Sequence, residues 1–223
     1  MNDDEPDLST LKAAIALSVR APSVHNTQSW AWRFSGHTIE LRADPSRRLT
    51  RADPTGRDLL VSCGCALHHL RVAAAALGWK AEVTRLPPGT DPDLLAFVEL
   101  RRREPSDEDI ALASAIASRR SDRRPFTTPP TGDELARLAN VVAGSGAVLE
   151  TDARSALVVA AARAHELLPS APTYLSELAA WSGHRYRTDG VLSRNTAPDA
   201  TAIGNRRFAA PGLAPGTAPT TRH

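Results

Sequence analysis

The sequence predicts a fold that contains both helices and strands, because stretches with helical apolar spacing alternate with short strand-like runs along the chain. Its 223 residues are enough to bury a sizeable hydrophobic core. Aromatic residues make up only 4%, so that core must be built mainly from Ala, Leu and Val. The pattern fades beyond Gly183, and the Pro-, Ala-, Thr- and Gly-rich stretch 196–223 is expected to be irregular or disordered.

The first expected element is a helix that begins at Leu8 and is capped by Asp7. Its apolar stripe would consist of Leu8, Leu11, Ile15 and Val19. The helix should end near Arg20, because Pro22 disfavours helical backbone at the residue before it. A polar loop over 21–29 follows. Two short strands are then expected around the turn Ser35-Gly36, at 30–34 and 38–42.

The strongest helix signal lies between residues 60 and 77. The spacing of its apolar stripe is helical throughout: Leu60, Cys63, Leu67, Leu70, Ala74 and Leu77. Gly78 closes this helix. The opposite side is also apolar, with Val61, Ala66 and Ala73. The helix is therefore expected to be buried on most sides, in the middle of the fold.

Later elements have clear start signals. Strands are expected at 79–86 and 94–100. Capping boxes predict two further helices, one opened by Ser106 with Asp109 and one by Thr131 with Glu134. Weaker patterns indicate a strand at 147–150 and helices at 152–168 and 173–181.

Composition and charge exclude several classes of function. The net charge is +2 and stacking aromatics are scarce, which argues against nucleic-acid binding. Of the 27 basic residues, 25 are arginine, so an arginine cluster alone is weak evidence for a phosphate site. No apolar run looks long enough to span a bilayer, and the acidic N-terminus lacks signal-peptide order. A cytoplasmic protein without a membrane partner is expected.

The two cysteines, Cys63 and Cys65, lie in the helix expected at 60–77. A bridge between them would be strained, and the chain has no second Cys/His pair at zinc-finger spacing. His68 and His69 follow closely, so a metal site remains an alternative. The simpler interpretation is a pair of small thiols packed in a helix.

Two polar segments could carry chemistry. The first is Ala21-Pro22-Ser23-Val24-His25-Asn26-Thr27-Gln28-Ser29-Trp30, which concentrates hydroxyl, amide and imidazole groups in one loop. Such groups can line the edge of a flat heteroaromatic ring. The alternative is that Ser23 and Asn26 only satisfy the backbone of a turn.

The second segment is Arg119-Arg120-Ser121-Asp122-Arg123, at the expected end of a helix. Guanidinium groups bind phosphate in a bidentate manner, and a serine hydroxyl adds a further hydrogen bond. The alternative is a solvated basic helix end that interacts favourably with the helix dipole.

Together the two segments resemble a known family. Residues 22–30 are similar to the Pro-Ser-x-x-Asn-x-Gln-Pro-Trp motif of nitroreductase-like flavoproteins, with Ser29 in place of the second proline. Residues 119–126 resemble that family's Arg-Arg-Ser-x-Arg-x-Phe segment. Here the loop precedes the arginine segment, an order that resembles the Acg branch, in which one chain holds two nitroreductase-like halves.

The resemblance implies a nitroreductase-like α+β fold with two pseudo-symmetric halves, each with a central helix packed on an antiparallel-rich sheet. The first half would span 1–104, and the second 105–195. The second is expected to be incomplete, as in a C-terminally truncated chain.

The resemblance also implies one FMN per chain. It assigns Arg119, Arg120, Ser121 and Arg123 to the phosphate and ribityl chain. It assigns Pro22, Ser23, Val24, Asn26 and Gln28 to the isoalloxazine ring. No catalytic side chain and no metal ligand are expected.

The activity implied is hydride transfer from NAD(P)H through FMN to an electron-poor acceptor, such as a nitroaromatic or a quinone. Two alternatives stay open: a non-catalytic protein that binds or sequesters FMN, and a truncated protein without a bound cofactor. A homodimer is a further option, and neither the physiological acceptor nor the preference for NADH or NADPH follows from the sequence.

Overall fold

The computed structural model describes residues 5–35, 38–89, 91–121, 128–143, 146–147, 149, 159–160, 163, 172–184 and 187–195. The chain divides into two compact units, one made of 1–121 with 186–191 and the other of 122–185 with 192–223. The elements of the first unit up to residue 121 are α1 (Leu8–Ser18), β1 (Trp30–Ser35), β2 (Thr38–Ala43), α2 (Arg57–Ala76), β3 (Trp79–Arg85), β4 (Leu94–Arg102) and α3 (Asp107–Ser118). Further along the chain lie α4 (Gly132–Ala143), α5 (Pro172–Ala180), β5 (Ser182–His184) and β6 (Val191–Leu192).

The first unit is built around a four-stranded antiparallel sheet with the order β1-β2-β4-β3. Ile39 of β2 pairs with Val98 of β4, which in turn pairs with Val83 of β3. Ile39 and Val98 are almost fully buried, so one face of the sheet contributes to the core. The four strands expected between residues 30 and 100 are confirmed to within two residues, and the fold class is α+β.

Helix α2 is the centre of the first unit and packs against α1, α3 and the sheet. Its buried residues include Cys63, Leu67, Leu70 and Ala74, four members of the predicted stripe. The expectation that α2 is buried on most sides is wrong for one face. Leu60 is 50% exposed, Val61 54% and Leu77 38%. Among the described residues, no element of the first unit covers that face.

The buried face of α1 differs from the predicted stripe. Leu8 and Val19 are exposed, while the two fully buried residues are Ala14 and Ser18. The reason is the close approach of α1 to α2, because small residues one turn apart let two helices lie near each other. The Ser18 hydroxyl donates to the Ile15 carbonyl at 2.9 Å, so its burial leaves no unpaired group.

The helix termini follow the local rules. The Asp7 carboxylate accepts a hydrogen bond from the Thr10 N–H at 2.7 Å, and both predicted capping boxes form. Gly78, with φ near +85°, terminates α2 as expected. The start of α2 is capped from a distance, since the buried Asp53 carboxylate accepts from the Leu59 N–H at 2.9 Å.

The remaining expectations from the sequence have different outcomes in the structure: one is wrong, one is confirmed and others lie outside the described residues. By length and composition alone, α2 is long and apolar enough to cross a membrane, which contradicts the expectation that no apolar run is long enough. Half of its most apolar stretch is buried inside the fold, as in the core helix of a folded protein. The helix expected at 173–181 is confirmed as α5. Most of the expected elements at 147–150 and 152–168, and the whole stretch 196–223, lie outside the described residues. The division into halves at residue 104 stays a prediction.

Candidate functional site

The polar loop over residues 21–29 joins α1 to β1 and has an unusual backbone. Residues Val24–Asn26 form a single 3₁₀ turn. His25, Asn26 and Gln28 all have positive φ, at 45°, 54° and 51°. Non-glycine residues seldom adopt this left-handed region, and Asn tolerates it better than His or Gln. A loop that holds three of them within four residues must be fixed by contacts from elsewhere in the chain.

Part of this support comes from helix α2, through hydrogen bonds of the Ser62 hydroxyl. The Val24 N–H donates to the Ser62 hydroxyl at 3.0 Å, and Ser62 donates to the Asp58 carbonyl at 2.7 Å. Within the loop, the Ser23 hydroxyl accepts from the Gln28 N–H at 2.9 Å. Sequence reasoning missed Ser62, although a serine inside an apolar helix was the available signal. Ser23 therefore satisfies turn backbone, as its simpler interpretation predicted.

The rest of the support comes from residues 187–190, which we call the return segment. The Asn26 side-chain amide donates to the carbonyls of Gly190 (3.0 Å) and Thr188 (3.3 Å), and the Gln28 amide donates to Thr188 (2.9 Å). The Gly190 N–H donates back to the Asn26 carbonyl at 3.1 Å. Nothing in the sequence pattern predicted this return, since the periodicity fades at Gly183.

An arginine links the loop and the return segment a second time. Arg47, in the 3₁₀ turn Pro45–Arg47, donates to the Thr27 carbonyl at 2.8 Å and pairs with Asp189 at 3.1 Å. The Arg187 guanidinium also donates to the Asp189 carboxylate. This hydrogen bond is the main reason why the pKa of the Asp189 carboxyl lies below its usual value. The side-chain amides of the loop are thus engaged by the chain itself.

The arginine segment lies against the start of the same loop, although about 100 residues separate them in sequence. The Arg119 guanidinium donates to the Arg20 carbonyl at 3.0 Å, and Arg20 donates to the Ala117 carbonyl at 3.0 Å. Arg119 also donates to the Ser121 hydroxyl at 3.0 Å. These reciprocal bonds join the end of α3 to the end of α1, so the two motifs meet within the first compact unit.

The electrostatics of this cluster are unbalanced. Burial and the neighbouring charges of Arg120 and Arg20 lower the pKa of Arg119. Among the residues that the structure describes, no carboxylate forms an ion pair with any of these three arginines. The buried Nε of Arg119 also finds no hydrogen-bond acceptor in that part of the chain. Such an arrangement suits an anion.

The positive charge of Arg119 affects the pKa values of two residues of α2, Cys65 and His69. Burial raises the pKa of the Cys65 thiol, and Arg119 opposes that shift. Burial lowers the pKa of His69, and His68 and Arg119 lower it further. Cys63 is buried more deeply, and burial raises the pKa of its thiol to about 12. Neither cysteine forms a disulfide, and no metal-binding cluster occurs among the described residues.

The predicted site residues therefore fall into three groups. Pro22, Ser23, Val24, Asn26 and Gln28 share one loop, with its amides engaged by the return segment. Arg119, Arg120 and Ser121 lie together at the end of α3; the Arg120 guanidinium donates to the Ala117 and Arg119 carbonyls. Arg123 lies outside the described residues.

Comparison with known proteins adds independent information. No protein-family model matches the chain. Over 220 residues it is 41% identical to Rv3131 of Mycobacterium tuberculosis H37Rv, which is named as a proposed NAD(P)H nitroreductase; the match covers 96% of this chain and 63% of Rv3131. Over 196 residues it is 36% identical to acg of the same organism, also named as a proposed NAD(P)H nitroreductase, with coverage of 86% and 59%.

A third relative carries no functional name. The chain is 38% identical over 205 residues to the uncharacterized protein Rv3127 of M. tuberculosis H37Rv, covering 86% of this chain and 59% of that protein. The chain thus spans about three fifths of the length of the curated relatives it matches.

Proposed function

We propose, from the premise that the chain is a nitroreductase-like protein of the Acg type, that it acts in an FMN-dependent oxidoreductase. Electrons would pass from NAD(P)H to an electron-poor acceptor such as a nitroaromatic or a quinone. The observation that carries this proposal is the meeting of the two motifs: Arg119 donates to the carbonyl of Arg20, directly before the loop 21–29. Homologues at 36–41% identity named as proposed NAD(P)H nitroreductases support the same class of reaction.

The donor set at the end of α3 suits the phosphate of FMN. Arg20, Arg119 and Arg120 bring three positive charges together without a paired carboxylate in the described chain, and Ser121 adds a hydroxyl. The orphaned Nε of Arg119 is a buried donor in need of an acceptor. A phosphate dianion would supply both the charge and the acceptor.

The loop suits the isoalloxazine ring in a more restricted way. Pro22, Ser23 and Val24 are partly exposed and lie next to Arg20 in sequence, so they can contact a ring. Asn26 and Gln28 already donate their side-chain amides to the return segment. We therefore assign these two side chains to shaping the loop, and the ring contacts to Pro22, Val24 and Ser23. The Ser23 hydroxyl accepts from the Gln28 N–H, which leaves its own proton able to donate to the ring.

FMN, when bound, supplies the capacity to accept and release a hydride. The chain itself supplies orientation and charge. Its arginines would neutralise the phosphate, and the rigid loop would fix the ring edge. No described side chain is assigned a proton transfer, because Cys63, Cys65 and His69 have pKa values that burial shifts away from their charged forms. The division into two nitroreductase-like halves belongs to the same proposal.

The test is a visible absorption spectrum of the purified protein after FMN is added and the excess removed, repeated anaerobically with NADPH and with NADH. Retained flavin bands that bleach support the enzyme. Bands that persist unbleached favour a protein that holds FMN without turning it over. An absence of bands overturns the flavin assignment for this chain.

A matched pair of variants tests the site. Arg119→Gln should weaken FMN binding at least tenfold, because it removes the most buried guanidinium of the cluster. Arg85→Gln, on an exposed position of β3, is the control and should bind FMN like the parent protein. Equal FMN affinities for the two variants would contradict the assignment of the phosphate to this cluster.

A further inference from the structure

A cavity of about 350 Å³ lies between the end of α2, the start of β3 and the first turns of α3, apart from the candidate flavin site. None of its lining residues belongs to the loop 21–29 or to the segment 119–121. Its volume falls within the range of small-molecule sites, roughly 300 to 1,000 Å³. All of its lining residues belong to the first compact unit.

The side chains that line this cavity carry more positive than negative charge. Lys80 pairs with Glu82 at 3.3 Å, and Arg103 pairs with Asp109. Arg71 lines the cavity too, and within the described part of the chain it forms no ion pair. One guanidinium thus remains uncompensated, which matches a ligand with a single negative charge rather than a dianion.

The rest of the cavity lining is largely apolar. Trp79 lines the cavity and is only 3% exposed, so its ring forms a fixed part of the wall. Val72 and Ala75 of α2 and Leu112 of α3 give the cavity apolar sides.

We propose that this cavity binds a small organic acid with one carboxylate and an apolar, ring-sized body. The carboxylate pairs with Arg71, and the apolar body lies between Val72 and Leu112, beside Trp79. This site is independent of the flavin proposal, because the two sites share no residue.

The experiment is a titration of the ¹⁵N-labelled full chain with benzoate, followed by the indole N–H resonances in ¹H–¹⁵N spectra. The chain has four tryptophans, and Trp79→Phe identifies the resonance of Trp79. Benzoate should shift that resonance saturably. Benzamide, which has the same shape without the charge, should bind at least tenfold more weakly.

Two variants on the same helix sharpen the result. Arg71→Gln should weaken benzoate binding at least tenfold, whereas Arg57→Gln, exposed at the other end of α2, should leave it unchanged. A Trp79 resonance that benzoate does not move would overturn the proposal. So would equal binding by the two variants, or an equal shift with inorganic phosphate, which would indicate charge attraction alone.

Discussion

The left-handed backbone of Asn26 and its side-chain hydrogen bonds allow the free energy of unfolding lost on its replacement to be estimated. Asn26→Ala removes the partly buried hydrogen bond to Gly190 at 3.0 Å, worth about 1 kcal/mol, and the exposed one to Thr188 at 3.3 Å, worth a few tenths. It also places alanine at φ near +54°, which costs about 1 kcal/mol more. The expected loss in free energy of unfolding is therefore about 2 kcal/mol.

Asn26→Gly separates the two contributions, because glycine loses the same hydrogen bonds but adopts positive φ without strain. The glycine variant should be about 1 kcal/mol more stable than the alanine variant. Urea titration followed by tryptophan fluorescence measures both, since Trp30, Trp32 and Trp79 lie in the first unit. A glycine variant as unstable as the alanine variant would refute the claim that backbone strain is stored at this position.

Three further predictions concern other parts of the first unit. With its pKa near 12, Cys63 should carry about one thiolate in ten thousand molecules at pH 8, so a thiol reagent should modify Cys65 first in the folded protein, and equal rates would contradict this. The pKa of His69 is lowered in the fold, so His69 binds a proton in the unfolded chain before it does so in the folded chain as the pH falls below about 6.5. The free energy of unfolding should therefore drop between pH 7.5 and 5.5 by more in the parent protein than in His69→Gln. Urea midpoints that change with pH by the same amount in both proteins would refute this prediction. Ser106→Ala removes the capping box of α3 and should cost about 1 kcal/mol in urea unfolding, whereas Ser106→Thr should cost little; equal losses would argue against the cap.

The sequence was a good guide wherever local rules decide the structure. The strands of the sheet, the length of α2 and the caps at Asp7, Ser106 and Thr131 all depend on residues a few positions apart. The stripe of α1 was misjudged because the choice between Leu8 and Ala14 depends on how closely α2 approaches, which α1 alone does not encode.

The sequence indicated the two segments of the candidate site but not the residues that support them, and the assignment of these segments to FMN stays a prediction. The motifs identified the loop and the arginine segment, and their contact through Arg20 and Arg119 agrees with a shared site. Ser62 and the return segment were not identified, because their hydrogen bonds to the loop join residues 38 to 164 positions apart. No periodic pattern reports such distant partners.

These long separations also set the order in which the site can form during synthesis. Asn26 leaves the ribosome 162 residues before Thr188, which at roughly 5–20 residues per second is a delay of about 8 to 30 seconds. Through that interval the loop lacks the carbonyls that accept hydrogen bonds from its side-chain amides. The sheet has all four of its strands once Arg102 has emerged, which is 86 residues before Thr188. The nascent chain therefore acquires its sheet before the loop 21–29 is held in place, so a ligand that depends on the ordered loop can associate only after the return segment has emerged.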